Sequence, residues 1–73
     1  MIEVTRLNGG VLTVNHYLIE TVEETPDTVI TLTTGKKLIV KESRPEIHER
    51  VKSYEKEVFS SFADISTKNS KKM

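Results

Sequence analysis

With 73 residues, the chain has room for one domain with a thin core, because a polypeptide this short buries only roughly 60% of the surface its unfolded form exposes. Eleven basic and eleven acidic side chains cancel, which removes the broad attraction to phosphate that carries most nucleic-acid binding. The absence of Cys rules out disulfides, thiolate metal sites and cysteine redox chemistry, and no run approaches the roughly 20 apolar residues that span a bilayer.

Residues 1–42 read as about five β-strands separated by turns, since β-branched residues dominate and turn formers recur at short intervals. Ile2 to Leu7 alternates apolar and polar positions and ends at Asn8-Gly9-Gly10. Asn-Gly is a strong hairpin signal because both residues tolerate positive φ. Val11 to Val14 returns as the second strand, and Asn15-His16 breaks the run. Tyr17 to Glu24 resumes it, with apolar residues at Leu18, Ile19 and Val22 whose change of phase predicts a β-bulge.

Thr25-Pro26-Asp27 forms the next turn, with Pro26 supplying the φ that a type I turn requires and Asp27 able to bond the backbone beyond it. Thr28 to Thr33 and Lys36 to Lys41 follow as a hairpin across Thr34-Gly35. In it Ile30 and Leu32 share one face and Leu38 and Val40 alternate with Lys37, Ile39 and Lys41, so both faces are partly apolar. That pattern fits a small curved antiparallel sheet or barrel better than a flat sheet with one wet side.

At Ser43 the period changes, and Ser43-Arg44-Pro45-Glu46 has the form of a capping box. Ile47, Val51, Tyr54, Val58 and Phe62 then recur at helical spacing to make one apolar stripe, which must cover the sheet or meet a partner. Glu46 and Arg50 stand four apart and can pair. The expected architecture is α+β: about five antiparallel strands followed by one C-terminal amphipathic helix. A single compact domain is expected over residues 1–62, β-rich to residue 42 and helical over 43–62, with a polar, flexible tail over 63–73.

Nothing here has the form of a catalytic, cofactor or metal site, and the chain reads as a non-enzyme. His16 at a strand break and His48 on the first turns of the helix read as a turn residue and a solvated residue, with no nucleophile arranged beside them. Glu20, Glu23 and Glu24, with Asp27 nearby, form an acidic edge that can dock a basic partner; divalent cation binding would need their oxygens to converge. Lys36 and Lys37 at a hairpin tip could touch phosphate, but there is no aromatic stacking platform beside them.

Arg6-Leu7-Asn8-Gly9, Asn15, Ile19-Glu20, the run from Glu23 through Leu32, Gly35-Lys36-Lys37 and Val40-Lys41-Glu42 together resemble the FlbD/SwrD family of small bacterial flagellar motility proteins. The resemblance covers roughly residues 1–60, and its most specific part is Glu23 to Leu32 followed by Gly35-Lys36. It departs from the family pattern at Gly10, where many relatives carry a basic residue, and in the tail after about Phe62. It marks Asn8, Gly9, Asn15, Thr25, Pro26, Asp27, Thr28 and Gly35 as signature positions, each of which turn geometry also accounts for.

What the resemblance implies is a cytoplasmic protein that supports swarming by raising flagellar motor power, binding a protein of the motor or stator, with any membrane contact made through that partner. Two alternatives stand beside it. One is a small-barrel nucleic-acid-binding regulator of flagellar genes acting through Lys36, Lys37 and Lys41. The other is an assembly or structural subunit that forms homo-oligomers through the helix stripe.

Overall fold

The computed structural model describes residues 1–71, and the side chains of residues 1–62. Among the described residues, five strands precede one long helix: β1 (Ile2–Thr5), β2 (Val11–Val14), β3 (Ile19–Glu24), β4 (Thr28–Leu32), β5 (Lys37–Val40) and α1 (Arg44–Lys71), with a 3-10 turn over His16–Leu18 between β2 and β3. The strands form two antiparallel sheets, β1-β2 and β3-β4-β5. The sheets meet where Arg6 bridges Val40 and the Lys41 N–H donates to the Thr5 carbonyl at 2.8 Å. The curved sheet of the sequence reading is therefore present, and it does not close into a barrel.

Three of the turns differ from their expected types. At the first, no non-glycine residue has positive φ, while Gly9 has φ of +96°. The Gly9 N–H donates to Arg6 O at 2.9 Å and the Arg6 N–H to Gly10 O at 2.8 Å. This is a three-residue loop closed by a left-handed glycine, not a two-residue Asn-Gly turn; Asn8 contributes its side chain, whose Oδ1 accepts from the Gly10 N–H at 2.9 Å. The β4–β5 turn repeats the pattern, with Gly35 at φ +90° and bonds from Gly35 N–H to Leu32 O and from Leu32 N–H to Lys36 O, both 2.8 Å. At the β3–β4 turn the Thr25–Pro26 bond is cis, so the turn takes a cis-proline form in place of type I.

The bulge falls where the change of phase places it: the register between β3 and β4 shifts between Ile19 and Thr21. As a result Ile19 and Val22, three apart, both pack against the core. That core consists of Ile2, Val4, Val14, Ile30, Leu38, Val40 and Ile47, each buried, with Leu12, Leu32, Val51 and Tyr54 partly buried around it. β4 and β5 supply it from alternate positions, as their period of two requires.

The capping box forms: the Glu46 N–H donates to Ser43 Oγ at 3.2 Å and the Ser43 N–H to Glu46 Oε1 at 3.0 Å. Helix α1 then lies against β1 and β3. Its backbone is helical as far as Lys71, and no Gly or Pro follows Pro45 in the sequence to stop it. The flexible tail expected over 63–73 falls on residues whose side chains lie outside those described. The apolar stripe divides in two along the helix. Ile47 is buried and Val51 and Tyr54 are half-buried, whereas Val58, Phe59 and Phe62 are 46%, 71% and 71% exposed.

Candidate functional site

The signature positions hold the backbone in place. Gly9 and Gly35 close their hairpins, Asn15 Oδ1 accepts from the Tyr17 N–H at 3.1 Å to start the 3-10 turn, and the Thr25 N–H donates to Asp27 O at 3.2 Å across the cis bond of Pro26. Thr28 opens β4 and is buried. These residues come from four separate turns, and the fold does not gather them into one site.

Nor does it gather the acidic residues. Glu20 lies at the bulge beside the Leu32 end of β4, while Glu23 and Glu24 pair with Val29 and Thr28 at the other end. Glu24 is already engaged: its Oε1 accepts from the Arg44 N–H at 2.9 Å, placing negative charge at the positive end of α1. Among the described residues no cluster of three metal-type ligands occurs. Lys36 and Lys37 are exposed at the β4–β5 turn.

Two polar clusters escaped the sequence reading. The first is centred on Glu42, which is 6% exposed. Its Oε1 accepts from the Thr5 N–H at 2.8 Å, and its Oε2 accepts from Thr5 Oγ1 at 2.7 Å and from Arg50 at 2.9 Å. Arg50 also donates to the Glu3 carbonyl at 2.7 Å, so it serves this cluster and not the expected pair with Glu46. Thr5 N–H and Glu3 C=O lie on the edge of β1 that β5 leaves uncovered, and the Glu42–Arg50 pair takes the place of a neighbouring strand there. Burial alone would raise the carboxyl's pKa; the bonds from Thr5 and Arg50 outweigh it and hold Glu42 below its ordinary value.

The second cluster surrounds His16, which lies in the 3-10 turn, as its reading as a turn residue expects, and is 7% exposed. Its ring meets Tyr54 edge-on, with centroids 5.0 Å apart, and tilts against Tyr17 at 4.2 Å. Nδ1 lies 3.2 Å from the terminal amine of Met1, and Nε2 lies 3.6 Å from Glu55 Oε1. Tyr17 donates its hydroxyl to Glu55 Oε2 at 3.0 Å, a bond that raises the Tyr17 pKa. The cluster packs the 3-10 turn against α1 and has no nucleophile beside it.

The signal for both clusters is one of phase. Glu42 continues the inward positions Leu38 and Val40, and His16 continues inward from Val14. A polar residue on the buried phase must find partners, which here come from distant segments of the chain.

Among the described residues, one exposed apolar face lies on α1, formed by Val58, Phe59 and Phe62, while Met1, Leu7, Val11, Tyr17, Leu18 and Ile39 are exposed elsewhere. A separate groove of about 520 Å³ lies between α1 and the β1–β2 hairpin, lined by Met1, Thr5, Val11, Arg50, Tyr54 and Glu57. Exposed aromatic residues grouped on one helix face are characteristic of protein contact surfaces. The arrangement offers an apolar surface with charged borders and no assembled acid–base or nucleophilic machinery among the described residues.

No helix among the described residues is long and apolar enough to cross a membrane. Neither a curated protein nor a solved structure matches the chain. The family model described as flagellar and swarming motility proteins matches residues 1–59.

Proposed function

The chain belongs to the FlbD family of flagellar and swarming motility proteins, and from that membership we propose that it is a non-enzymatic, cytoplasmic accessory that binds a protein of the flagellar motor or stator. The observation that carries this reading is the distal part of α1: Phe62, on the stripe, and Phe59 beside it are each 71% exposed, although the stripe buries Ile47 roughly three to four turns earlier. An aromatic pair that does nothing for the fold is accounted for by a partner. The borders of the surface, Glu55, Lys56 and Glu57, supply the polar rim that such contacts have.

The test is crosslinking and affinity capture of the tagged protein from motile cells, alongside a Phe59→Ser/Phe62→Ser variant. The wild type is expected to recover motor or stator proteins, and the variant to remain folded while losing both capture and swarming. Recovery of flagellar transcripts in place of motor proteins, or normal swarming by a variant shown to be folded, would overturn the proposal.

A further inference from the structure

We propose that the outer edge of β2 is where two copies of this chain join, β2 against β2 in antiparallel orientation, giving one continuous sheet across a two-fold axis. The direction of each backbone group follows from the hairpin. The Arg6 N–H donates to Gly10 O, so residues 6 and 10 are a hydrogen-bonded pair, and the antiparallel alternation makes Val4/Leu12 and Ile2/Val14 the next bonded pairs. Thr5/Val11 and Glu3/Thr13 are the non-bonded pairs between them. The opposite edge of β1 agrees, since the groups of Thr5 and Glu3 are taken there by Lys41, Glu42 and Arg50. Val11 and Thr13 therefore turn their N–H and C=O groups away from β1, and among the described residues no strand pairs with that edge.

The two free edges of the fold are unlike. β3 itself carries Glu20, Glu23 and Glu24, and Glu24 is bonded to the start of α1; a copy pairing there would bring like charges together. β2 is Val11-Leu12-Thr13-Val14, with neither a charge nor a proline to guard it, and Val11 is 68% exposed. Its edge is self-complementary: setting Val11 opposite Thr13 of the second copy, and the reverse, satisfies the outward donors and acceptors of both strands with about four hydrogen bonds. Leu12 then meets Leu12 of the second copy on the two-fold axis. A second copy fits this uncharged strand without like-charge repulsion, and it adds cover to a core that holds seven buried apolar residues among those described.

The full chain is to be measured by light scattering across a dilution series, with amide hydrogen exchange followed at Val11 and Thr13. The expected mass is twice 8.3 kDa at high concentration, with both amides protected and their protection lost on dilution. Thr13→Pro removes an outward donor without touching the β1 ladder, and Val11→Lys places a charge on each side of the axis; both are expected to give monomers with unchanged circular dichroism. Should Thr13→Pro fail to fold, Val11→Lys and the wild-type exchange rates decide. A wild type that is monomeric at every concentration overturns the proposal, as does a dimer that survives Val11→Lys with fast exchange at Val11 and Thr13.

Discussion

Glu42 ties three segments together through one carboxylate, and its ionisation is linked to folding. Against the opposing effect of burial, the bonds from Thr5 and Arg50 hold its folded pKa below the ordinary 4.5, so its contribution to stability should be present above the unfolded pKa and be lost as pH falls through the lowered folded one. Glu42→Gln keeps the shape but removes the charge, and should cost about 2 kcal/mol at neutral pH while flattening the acid limb of the stability curve below pH 4.5; urea melts across pH measure both. The glycines divide by φ. Gly9→Ala and Gly35→Ala force a side chain into the left-handed region and should each cost about 1–2 kcal/mol. Gly10 lacks positive φ, and an added Cβ would meet the Asn8 side chain at 3.2 Å and the Arg6 side chain at 3.9 Å, both free to shift, so Gly10→Ala should cost well under about 1 kcal/mol by the same melts. At this scale the sequence revealed which residues make turns, because Gly, Asn and Pro act on their own neighbours. It concealed Glu42, Arg50 and His16, whose roles depend on partners from other segments: Thr5 is 37 residues from Glu42, Glu3 is 47 from Arg50, and Met1 is 15 from His16.

Among the elements, the strands, the bulge and the capped start of α1 were all legible, because each leaves a local trace: alternation, a change of phase, or Ser and Glu three apart. The hairpin types were not. Asn-Gly allows both a two-residue turn and a three-residue loop, and the choice rests on how strands pair beyond the turn. The helix stripe was visible from Ile47 to Phe62, but periodicity cannot show where a sheet stops beneath it. Ile47 is 2% exposed, and Ile47→Ala should cost about 2–5 kcal/mol, whereas Phe59→Ala and Phe62→Ala should each change stability by less than about 0.5 kcal/mol. Chemical denaturation of the three variants checks the division of the helix directly. If the Phe variants prove as costly as Ile47→Ala, the second half of α1 belongs to the folded core.

At the scale of the whole molecule, the α+β class and the order of elements follow from the sequence, while the division into two sheets does not. It arises because β1 reaches β5 only near its end, and Glu42 and Arg50 fill the remaining edge with side chains. Family membership extends over residues 1–59, and so includes every buried apolar residue of the core. Among the described residues of α1, the last packed against that core is Tyr54, and the exposed apolar residues begin one turn later at Val58. Positions that secure the fold and positions free to touch other molecules thus occupy consecutive stretches of a single helix, with little energetic coupling expected between them. Substitutions in the second stretch should therefore leave the first intact, so a surface carried there can be altered with little cost to the fold.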